Sequence, residues 1–246
     1  MLRSTTTAER VTTSDQRAQA LSVLRQTYAD EKGWVGSAED VFPEQDLSNS
    51  EVTWVLATVD DAPAGVLRVH YAPPLDVYAS YGLRGIGDGE PVDGGSHDPE
   101  PTISIHGEAL DADGIQDFIN ENQIAEIGRF AVLPAYRRRI RVVFWLMRIA
   151  CVDTFERRYT HYVTDVFDGE EHSPYNFHTR VLGFEPLATH AVGEMDCLHR
   201  RITMVLDLGA CYRRLARKKN RLFRFLSDGL SRSLQDEILG REAAAA

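Results

Sequence analysis

The spacing of apolar and polar positions predicts an alternating series of helices and strands. Apolar residues recur at helical intervals over 14–29, and two alternating stretches flank a polar turn at 60–63, which indicates an antiparallel hairpin. Glycine, proline and acidic residues dominate 82–101, as is typical of a mobile loop. The predicted strands are 53–59, 64–71, 102–106, 124–133, 160–167, 184–190 and 201–208. The predicted helices are 14–29, 113–120, 136–155 and 176–182, the last of which ends at Gly183.

The composition fits one α/β domain with extensions. The 246 residues are 43% hydrophobic, which is enough to bury a full core. The three cysteines have no paired spacing and the eight histidines match no ligand motif, so we expect neither disulfides nor a metal site. The amino terminus has no apolar signal region, and the apolar run at 142–152 is too short to span a bilayer. These features predict a soluble cytoplasmic protein.

One predicted strand contains two charged residues among apolar ones. Ile124–Val132 is apolar and β-branched, and Pro134 forbids its continuation. Glu126 and Arg129 lie inside it, where ionised groups are costly unless they are paired or used in chemistry. Taken alone, these residues leave two interpretations open: a structural ion pair, or a functional acid with a neighbouring cation.

Four arginines follow this strand at the start of the next predicted helix. They are Arg137, Arg138, Arg139 and Arg141. The first turn of a helix presents unpaired N–H groups and the positive end of the helix dipole, so an anionic ligand such as a phosphate is expected there. A solvated basic turn is the alternative interpretation.

The same stretch resembles the GNAT superfamily of N-acyltransferases. Val-x-Pro-x-Tyr-Arg at 132–137 is followed by a long apolar helix and by Leu-Gly-Phe-Glu-Pro at 182–186, in the order found in that superfamily. The resemblance covers roughly residues 15–208. Within the superfamily, Glu-x-x-Arg-Phe at 126–130 is similar to the acyl-homoserine-lactone synthases and the N-acyl amino acid synthases.

Two segments of the amino-terminal half extend this similarity to the synthases. Residues 25–34 resemble their amino-terminal pattern of arginine, aromatic, basic residue and tryptophan, although Arg25 lies one residue closer to the aromatic than usual. Gly65-x-x-Arg68 resembles the Gly-x-x-Arg of their central hairpin. The order of all these motifs is more specific than any one of them.

The resemblance implies a GNAT-like three-layer α/β (α+β) fold. Its central sheet is mixed and mostly antiparallel, with middle strands that splay apart to admit the acyl-pantetheine arm. Residues 1–208 would form the acyltransferase domain, with an acidic, glycine-rich insertion at about 76–123. Residues 209–246 would form a basic, amphipathic helical extension.

The resemblance also implies roles for individual residues. The catalytic pair would be Glu126 and Arg129, with Glu126 removing a proton from the attacking amine. The arginines at 137–141 would hold the phosphate of phosphopantetheine. Main-chain N–H groups near 130–132 would polarise the acyl carbonyl. The implied substrate-binding residues are Arg68, Tyr28, Trp34, Phe130, Ala131 and Val132.

Departures from the superfamily pattern bear on the acyl donor. Conventional acetyl-CoA-dependent members have two glycines that let backbone amides close on the pyrophosphate, and Ile140 and Val142 occupy those positions here. We therefore expect acyl carrier protein, with its single phosphate, as donor, acyl-CoA as the alternative, and no tightly bound cofactor. Thr179 replaces a tyrosine that often protonates the leaving thiolate.

The net charge of −10 is unevenly distributed. Eleven acidic residues lie between 76 and 123 against one base, Arg84, whereas seven basic residues and no acid lie between 209 and 224. Carrier proteins are strongly acidic, so basic helices near the site predict docking of such a partner. Solvated surface charge and contact with a membrane surface are the alternatives for the carboxy-terminal helix, and nucleic acid is not an expected partner.

The expected function is transfer of a fatty acyl group from acyl carrier protein, or acyl-CoA, to the amine of an amino acid, giving an N-acyl amino acid. Three alternatives stay open. The first is an acyl-homoserine-lactone synthase using S-adenosylmethionine, the second is an ordinary acyl-CoA N-acyltransferase, and the third is a non-catalytic acyl-binding or membrane-surface protein.

Overall fold

A computed structural model describes residues 4–71, 104–105, 108–109, 117, 121–167, 169, 173–190, 201–218 and 221–240. Its strands are β1 (Thr6–Arg10), β2 (Val52–Val59), β3 (Ala62–His70), β4 (Ser104–Ile105), β5 (Glu108–Ala109), β6 (Ile124–Val132), β7 (His161–Phe167), β8 (Glu185–His190) and β9 (Arg201–Asp207). Its α-helices are α1 (Ser14–Leu24), α2 (Ala38–Val41), α3 (Ile140–Glu156), α4 (Tyr175–Phe177), α5 (Leu208–Arg217), α6 (Arg221–Ser227) and α7 (Arg232–Ile238). Two π-helices (Arg25–Glu31, His178–Leu182) continue α1 and α4, and 3₁₀ turns occupy Glu44–Leu47 and Pro134–Tyr136.

Seven of the strands form one mixed sheet in the order β1-β2-β3-β6-β7-β9-β8. The pairs β1–β2, β2–β3, β7–β9 and β8–β9 are antiparallel, whereas β6 and β7 run parallel. The short strands β4 and β5 form a separate antiparallel pair. This mixed, mostly antiparallel sheet with flanking helices confirms the predicted fold class.

The chain divides into two compact units. The first comprises Met1–His70, Ile127–Arg158 and Tyr212–Ala246, and the second comprises Tyr71–Glu126 and Tyr159–Cys211. Strand β6 passes from the second unit into the first after Glu126. Each unit is therefore assembled from separate stretches of sequence.

The first unit is built on strands whose two faces are both covered. In β2 the five consecutive residues Thr53–Ala57 are buried, and because successive side chains point to opposite faces, both faces must be packed. Helix α1 packs on β3, and α3 packs on β1, β2 and β3. Trp54 stacks on Phe42 with 4.1 Å between ring centroids, and its indole N–H donates to Asp46 over 2.8 Å.

Strand β1 was missed by the sequence-based prediction. Its residues, Thr6–Arg10, are mostly polar and show no apolar alternation, which suits an edge strand. It is held by antiparallel pairing to β2 and by Arg10, whose guanidinium lies 2.7 Å from the buried carboxylate of Asp153 in α3. This long-range ion pair has no signature in the local sequence.

The predicted hairpin is confirmed. Strands β2 and β3 pair antiparallel through a turn at Asp60 and Asp61, both of which adopt the left-handed conformation, with φ of 50° and 66°. Aspartate tolerates this conformation better than most residues, which is why the turn forms without glycine. The carboxylate of Asp60 accepts hydrogen bonds from Ser4 and from the backbone N–H of Thr5.

The second unit contains β7, β9 and β8, which pair antiparallel, with Tyr162, Val163, Met204 and Val205 in its core.

The predicted end of the helix at Gly183 is confirmed. The π-helix His178–Leu182 ends there, since Gly183 has φ of 90° and its N–H donates to the carbonyl of His178. Of the predicted strand at 102–106, the structure describes Ser104 and Ile105, which form β4. The predicted loop at 82–101 and most of the predicted helix at 113–120 lie outside the described residues.

The start of the long helix differs from the sequence-based prediction. Residues 136–139 were expected inside the helix, but α3 begins at Ile140 after a 3₁₀ turn at Pro134–Tyr136. Proline fixes a tight turn at that point, and the arginines at 137–139 lie in the connection. Among the helices described here, none is long and apolar enough to cross a membrane.

Candidate active site on strand β6

Strand β6 carries a buried acid in its first half. Ile124 to Ile127 are all buried, and Glu126 among them is 8% exposed. Glu126 lies opposite Val163 in the parallel pairing of β6 with β7, which joins Ile124–Glu126 to His161–Val163. A carboxylate held in a strand interior keeps a fixed position, which is a property required of a general base.

The backbone of β6 changes conformation at Arg129. This residue has φ of 50°, in the left-handed region that non-glycine residues seldom adopt and that costs free energy to maintain. The unusual dihedral lies on the arginine itself and not on the preceding Gly128. Residues 128–130 are half-buried, between buried segments on either side. Such local strain is frequent at functional sites.

Arg137 is held by two parts of the first unit. Its Nε donates to the carbonyl of Val132 at the end of β6 over 3.1 Å. Its Nη1 donates to Glu31 Oε1 over 2.7 Å, and Nη2 donates to Glu31 Oε2, which makes the pair bidentate. We refer to Glu31, Arg137 and Val132 as the Arg137 clamp. The clamp attaches the π-helix at 25–31 to the end of β6.

Glu31 is a residue that sequence reasoning missed. It lies within the quoted motif at 25–34, but no role was predicted for it. The sequence does show an acidic residue inside this motif, but only the arginine, aromatic and tryptophan positions of the motif were interpreted. Its partner lies 106 positions away, and no local pattern reports a contact at that separation.

The Arg137 clamp is expected to show measurable coupling. In a double-mutant cycle with Glu31→Ala and Arg137→Ala, the free energy of unfolding should show a coupling of about 1 kcal/mol, because the pair is bidentate but partly solvated. The more exposed pair of Arg25 and Glu39, at 2.8 Å, is a matched control and should show about half that coupling or less. Equal coupling in the two cycles would contradict a special role for the clamp.

The remaining predicted phosphate-binding arginines lie in three different environments. Arg139 donates to Ser4 Oγ over 2.6 Å and lies over the ring of Tyr136. Arg138 is exposed at the connection, and Arg141 is exposed in the first turn of α3, where it lines a cavity discussed below. The structure thus separates these side chains, and their common role in phosphate binding stays a prediction.

Tyr28 and Trp34, two of the predicted substrate-binding residues, contact each other. Their rings meet edge to face with centroids 5.4 Å apart, and the N–H of Trp34 donates to the carbonyl of Tyr28. Tyr28 is buried, whereas Trp34 is half-buried below the ammonium group of Lys32. Arg68 lies on β3 opposite Trp54, and β3 is the neighbour of β6 in the sheet.

The other predicted substrate-binding residues lie at the end of β6. Phe130 is half-buried, and Ala131 and Val132 are buried. The carbonyl of Val132 accepts from Arg137, and the N–H of Leu133 donates to Ala64 of β3. These bonds fix the last residues of β6 against the hairpin.

Backbone N–H groups near the start of α3 are used by the chain itself. Those of Arg137, Arg139 and Val142 donate to the carbonyls of Pro134, Tyr136 and Arg139. Val142, at the second glycine position of the superfamily pattern, is fully buried, and Ile140 at the first is 48% exposed. A glycine loop that wraps a pyrophosphate requires backbone N–H groups that are not already bonded, and small residues beside them. This connection offers fewer such N–H groups and fewer small residues than the glycine loop of the superfamily pattern.

The helix before Gly183 contains a histidine, His178, whose pKa is lowered by burial. Burial against the ring of Phe184 lowers the pKa of His178 below 6.5, although the hydrogen bond to the carbonyl of Pro174 favours the charged form. Because a carbonyl only accepts, Nδ1 must carry the proton of the neutral ring. Thr179, at the position of the superfamily's tyrosine, donates its hydroxyl to the carbonyl of Tyr175.

Acidification is expected to destabilise the protein through His178. Below pH 6.5 the unfolded chain binds a proton that the native state resists, so stability falls as pH drops toward the lowered native pKa. The loss is at most about 1.4 kcal/mol per pH unit. Denaturant unfolding at about pH 7.5 and about pH 5.5 measures it, and His178→Gln should reduce the difference between the two values. An unchanged pH dependence in the variant would exclude His178 as its source.

The carboxy-terminal helices are part of the first unit. The apolar residues that suggested a membrane-facing surface are Tyr212, Leu215, Leu222, Phe223 and Leu226; Phe223 is half-buried and the other four are buried. Tyr212 contacts Phe155 of α3, and α6 packs along α3. Most of the apolar face of these helices is therefore covered by protein. Among the described residues, no cluster of histidine, cysteine and acidic side chains is arranged to hold a metal ion.

The fold has relatives among solved structures, whereas no protein-family model and no curated protein sequence matches the chain. It is similar to FeeM, an N-acyl amino acid synthase from uncultured soil microbes, with a TM-score of 0.56 and 15% identity, over 90% of this chain and 98% of that one. It is similar to a protein assigned to the GNAT family from Desulfovibrio desulfuricans, with a TM-score of 0.52 and 12% identity, over 83% and 99% of the two chains.

A third similar structure is that of Arabidopsis thaliana NAA60 in complex with acetyl-CoA, with a TM-score of 0.51 and 11% identity, over 82% of this chain and 98% of that one. At such low identities, the similarity establishes the architecture. The chain has the fold of the GNAT N-acyltransferases, as its motifs predicted.

Proposed function

We propose that this protein is an N-acyltransferase that moves a fatty acyl group from a phosphopantetheine thioester to the amine of an amino acid. The observation that carries the proposal is Glu126, a buried acid in the interior of β6, followed three residues later by Arg129 in a left-handed conformation. The GNAT fold and the similarity to an N-acyl amino acid synthase over 90% of the chain support it.

The proposed chemistry requires one proton acceptor and one set of hydrogen-bond donors. Glu126 removes a proton from the substrate ammonium group, directly or through water, and the neutral amine attacks the thioester carbonyl. Main-chain N–H groups near 130–132 stabilise the oxyanion of the tetrahedral intermediate. The carbon–sulfur bond then breaks, the nitrogen gives up its second proton to leave the neutral amide, and that proton passes, directly or through water, to the departing thiolate of the pantetheine.

The predicted substrate contacts complete the proposal. Arg68 and Arg129 bind the carboxylate of the acceptor amino acid, since a guanidinium group pairs with a carboxylate in bidentate geometry. Tyr28 and Trp34 cover the substrate, and the Arg137 clamp holds the segment that carries them against the end of β6. In this scheme Arg137 is a positioning residue for the amino-terminal segment.

Acyl carrier protein is the proposed donor. The N–H groups of Arg137, Arg139 and Val142 are already bonded, which leaves less capacity for the pyrophosphate of CoA. Exposed basic residues of the first unit offer a surface to an acidic partner, and they include Arg138, Arg217, Lys218 and Arg224. The burial of the apolar residues in α5 and α6 favours this role over contact with a membrane.

Donor preference tests the proposal. At equal acyl length, kcat/KM for acyl carrier protein should exceed that for acyl-CoA by about tenfold or more, equivalent to about 1.4 kcal/mol in transition-state binding. Mass spectrometry of the products distinguishes N-acyl amino acids from acyl lactones, the products of the synthase alternative. Equal or better use of acyl-CoA would instead favour an ordinary acyl-CoA N-acyltransferase, the second candidate, whose support is the similarity to a structure holding acetyl-CoA.

A further inference from the structure

The first unit contains a cavity that the proposed chemistry does not use. It has a volume of about 650 Å³, within the range typical of small-molecule sites. Its walls come from the start of β1, the first half of α3 and helix α6. The apolar part of the lining includes Phe144, Trp145 and Phe225.

The cavity lies on the side of α3 that faces α6. Trp145 meets Phe225 of α6 edge to face, with ring centroids 5.1 Å apart. On the sheet-facing side of α3, Val142 and Leu146 lie beside Gly65 of β3. In the sheet, β2 and β3 lie between β6 and β1, the strand whose start lines the cavity. The cavity is therefore distinct from the candidate site on β6.

The rim of the cavity is basic. Arg141 of α3 and Arg221 of α6 both line it and both are exposed. The residues that line the cavity include no acid. Two carboxylates outside the lining have partners of their own: Asp60 accepts from Ser4 and Thr5, which line the cavity, and Asp228 pairs with Arg148 at 2.8 Å. An apolar interior below two cations suits a ligand with an apolar tail and one anionic end.

We propose that this cavity binds a long-chain carboxylate, with the alkyl chain against the aromatic side chains of the lining and the carboxylate at Arg141 and Arg221. Two sources share this chemistry, a free fatty carboxylate and an N-acyl amino acid. The proposal does not rest on acyl transfer, because none of the lining residues takes part in the bond-making steps proposed on β6, although Arg141 is also one of the predicted phosphate-binding arginines.

Trp145 provides a direct readout of binding. The chain has three tryptophans, and bromine atoms quench indole fluorescence only at close range. Titration with dibromostearate should quench the emission of the wild-type protein, and most of that quenching should disappear in Trp145→Phe, which retains Trp34 and Trp54. Quenching of equal depth in Trp145→Phe would place the ligand elsewhere and overturn the proposal.

The role of the rim is tested on the same titration. The Arg141→Gln/Arg221→Gln variant should weaken dibromostearate binding by about tenfold, since two charge-assisted hydrogen bonds are lost. Arg224→Gln, an exposed change on the same helix that does not line the cavity, is the matched control and should leave the affinity within about twofold. Unchanged affinity of the double variant for dibromostearate would overturn the assignment of a carboxylate. Binding of uncharged dodecanol to the wild type with the same affinity as dibromostearate would also overturn it.

Competition identifies the source of the ligand. Dodecanoate and N-dodecanoylglycine are each used to displace dibromostearate from the wild-type protein, and circular dichroism verifies that every variant is folded. Displacement by either compound supports the site. The stronger competitor indicates whether the site binds a free fatty carboxylate or an N-acyl amino acid. Failure of both to displace the probe would overturn the proposal while leaving acyl transfer on β6 unaffected.

Discussion

Replacement of Glu126 by glutamine is expected to lower kcat by about two orders of magnitude while the protein remains folded. Glutamine has the size of glutamate and fits the same buried position in β6, but it cannot accept a proton from the substrate amine. Removal of a general base that acts on the attacking group typically lowers the rate by at least that factor. Steady-state kinetics with a saturating acyl donor and amino acid acceptor would measure it.

Two controls separate the chemical role of Glu126 from a structural one. Glu121→Gln changes an exposed acid five positions upstream and should leave kcat unchanged. A hydroxylamine-type acceptor, which is already neutral at neutral pH, should suffer a smaller loss with Glu126→Gln than an amino acid does. Equal losses for both acceptors, together with a lowered unfolding midpoint, would show that Glu126 only orders the sheet.

Gly65→Ala is expected to destabilise the fold by about 2 kcal/mol, through overpacking where β3 approaches β6 and α3. A Cβ at Gly65 would lie 3.0 Å from the carbonyl oxygen of Ala131, 3.0 Å from Val142 Cγ1 and 3.2 Å from Leu146 Cδ1. The oxygen belongs to the backbone, so it cannot move away without displacing β6. Because Ala131 lies in the segment proposed to bind the acyl group, the variant should also lose activity.

Gly36→Ala is the matched control for this substitution. A Cβ at Gly36 would meet nothing within 4 Å, so the change should be neutral or stabilise the protein by up to about 1 kcal/mol by restricting the unfolded chain. Thermal unfolding of the two variants beside the wild type compares them, and a difference of about 2 kcal/mol corresponds to roughly 4–8 °C in a protein of this size. Similar midpoints for the two variants would show that the contacts at Gly65 relax without cost.

Sequence reasoning recovered the elements whose causes are local. The β2–β3 hairpin follows from alternating residues around Asp60 and Asp61, and the end of the helix at Gly183 follows from the ease with which glycine adopts a positive φ. Both features depend on neighbours in the chain, which the sequence displays directly. The order of the GNAT motifs then placed these elements in the correct fold.

Features that depend on distant contacts were not recovered. Polar β1 is a strand because β2 pairs with it and because Arg10 meets Asp153 of α3, and neither cause lies within its own five residues. The Arg137 clamp joins residues 106 positions apart, which is why the sequence did not pair Arg137 with Glu31. The positive φ of Arg129 is likewise imposed by the surrounding sheet, since the arginine itself disfavours it.

The assembly of the first unit from three separate stretches constrains how the protein is made. During synthesis from the amino terminus, Met1–His70 leaves the ribosome long before Tyr212–Ala246, which supplies the helix that covers Trp145 on α3. Until α6 arrives, Trp145 of α3 lacks its contact with Phe225, and exposed apolar surface of this kind favours aggregation. The last helices thus complete a core that the first strands begin, and a ribosome stalled before residue 221 would release a chain with that core still open.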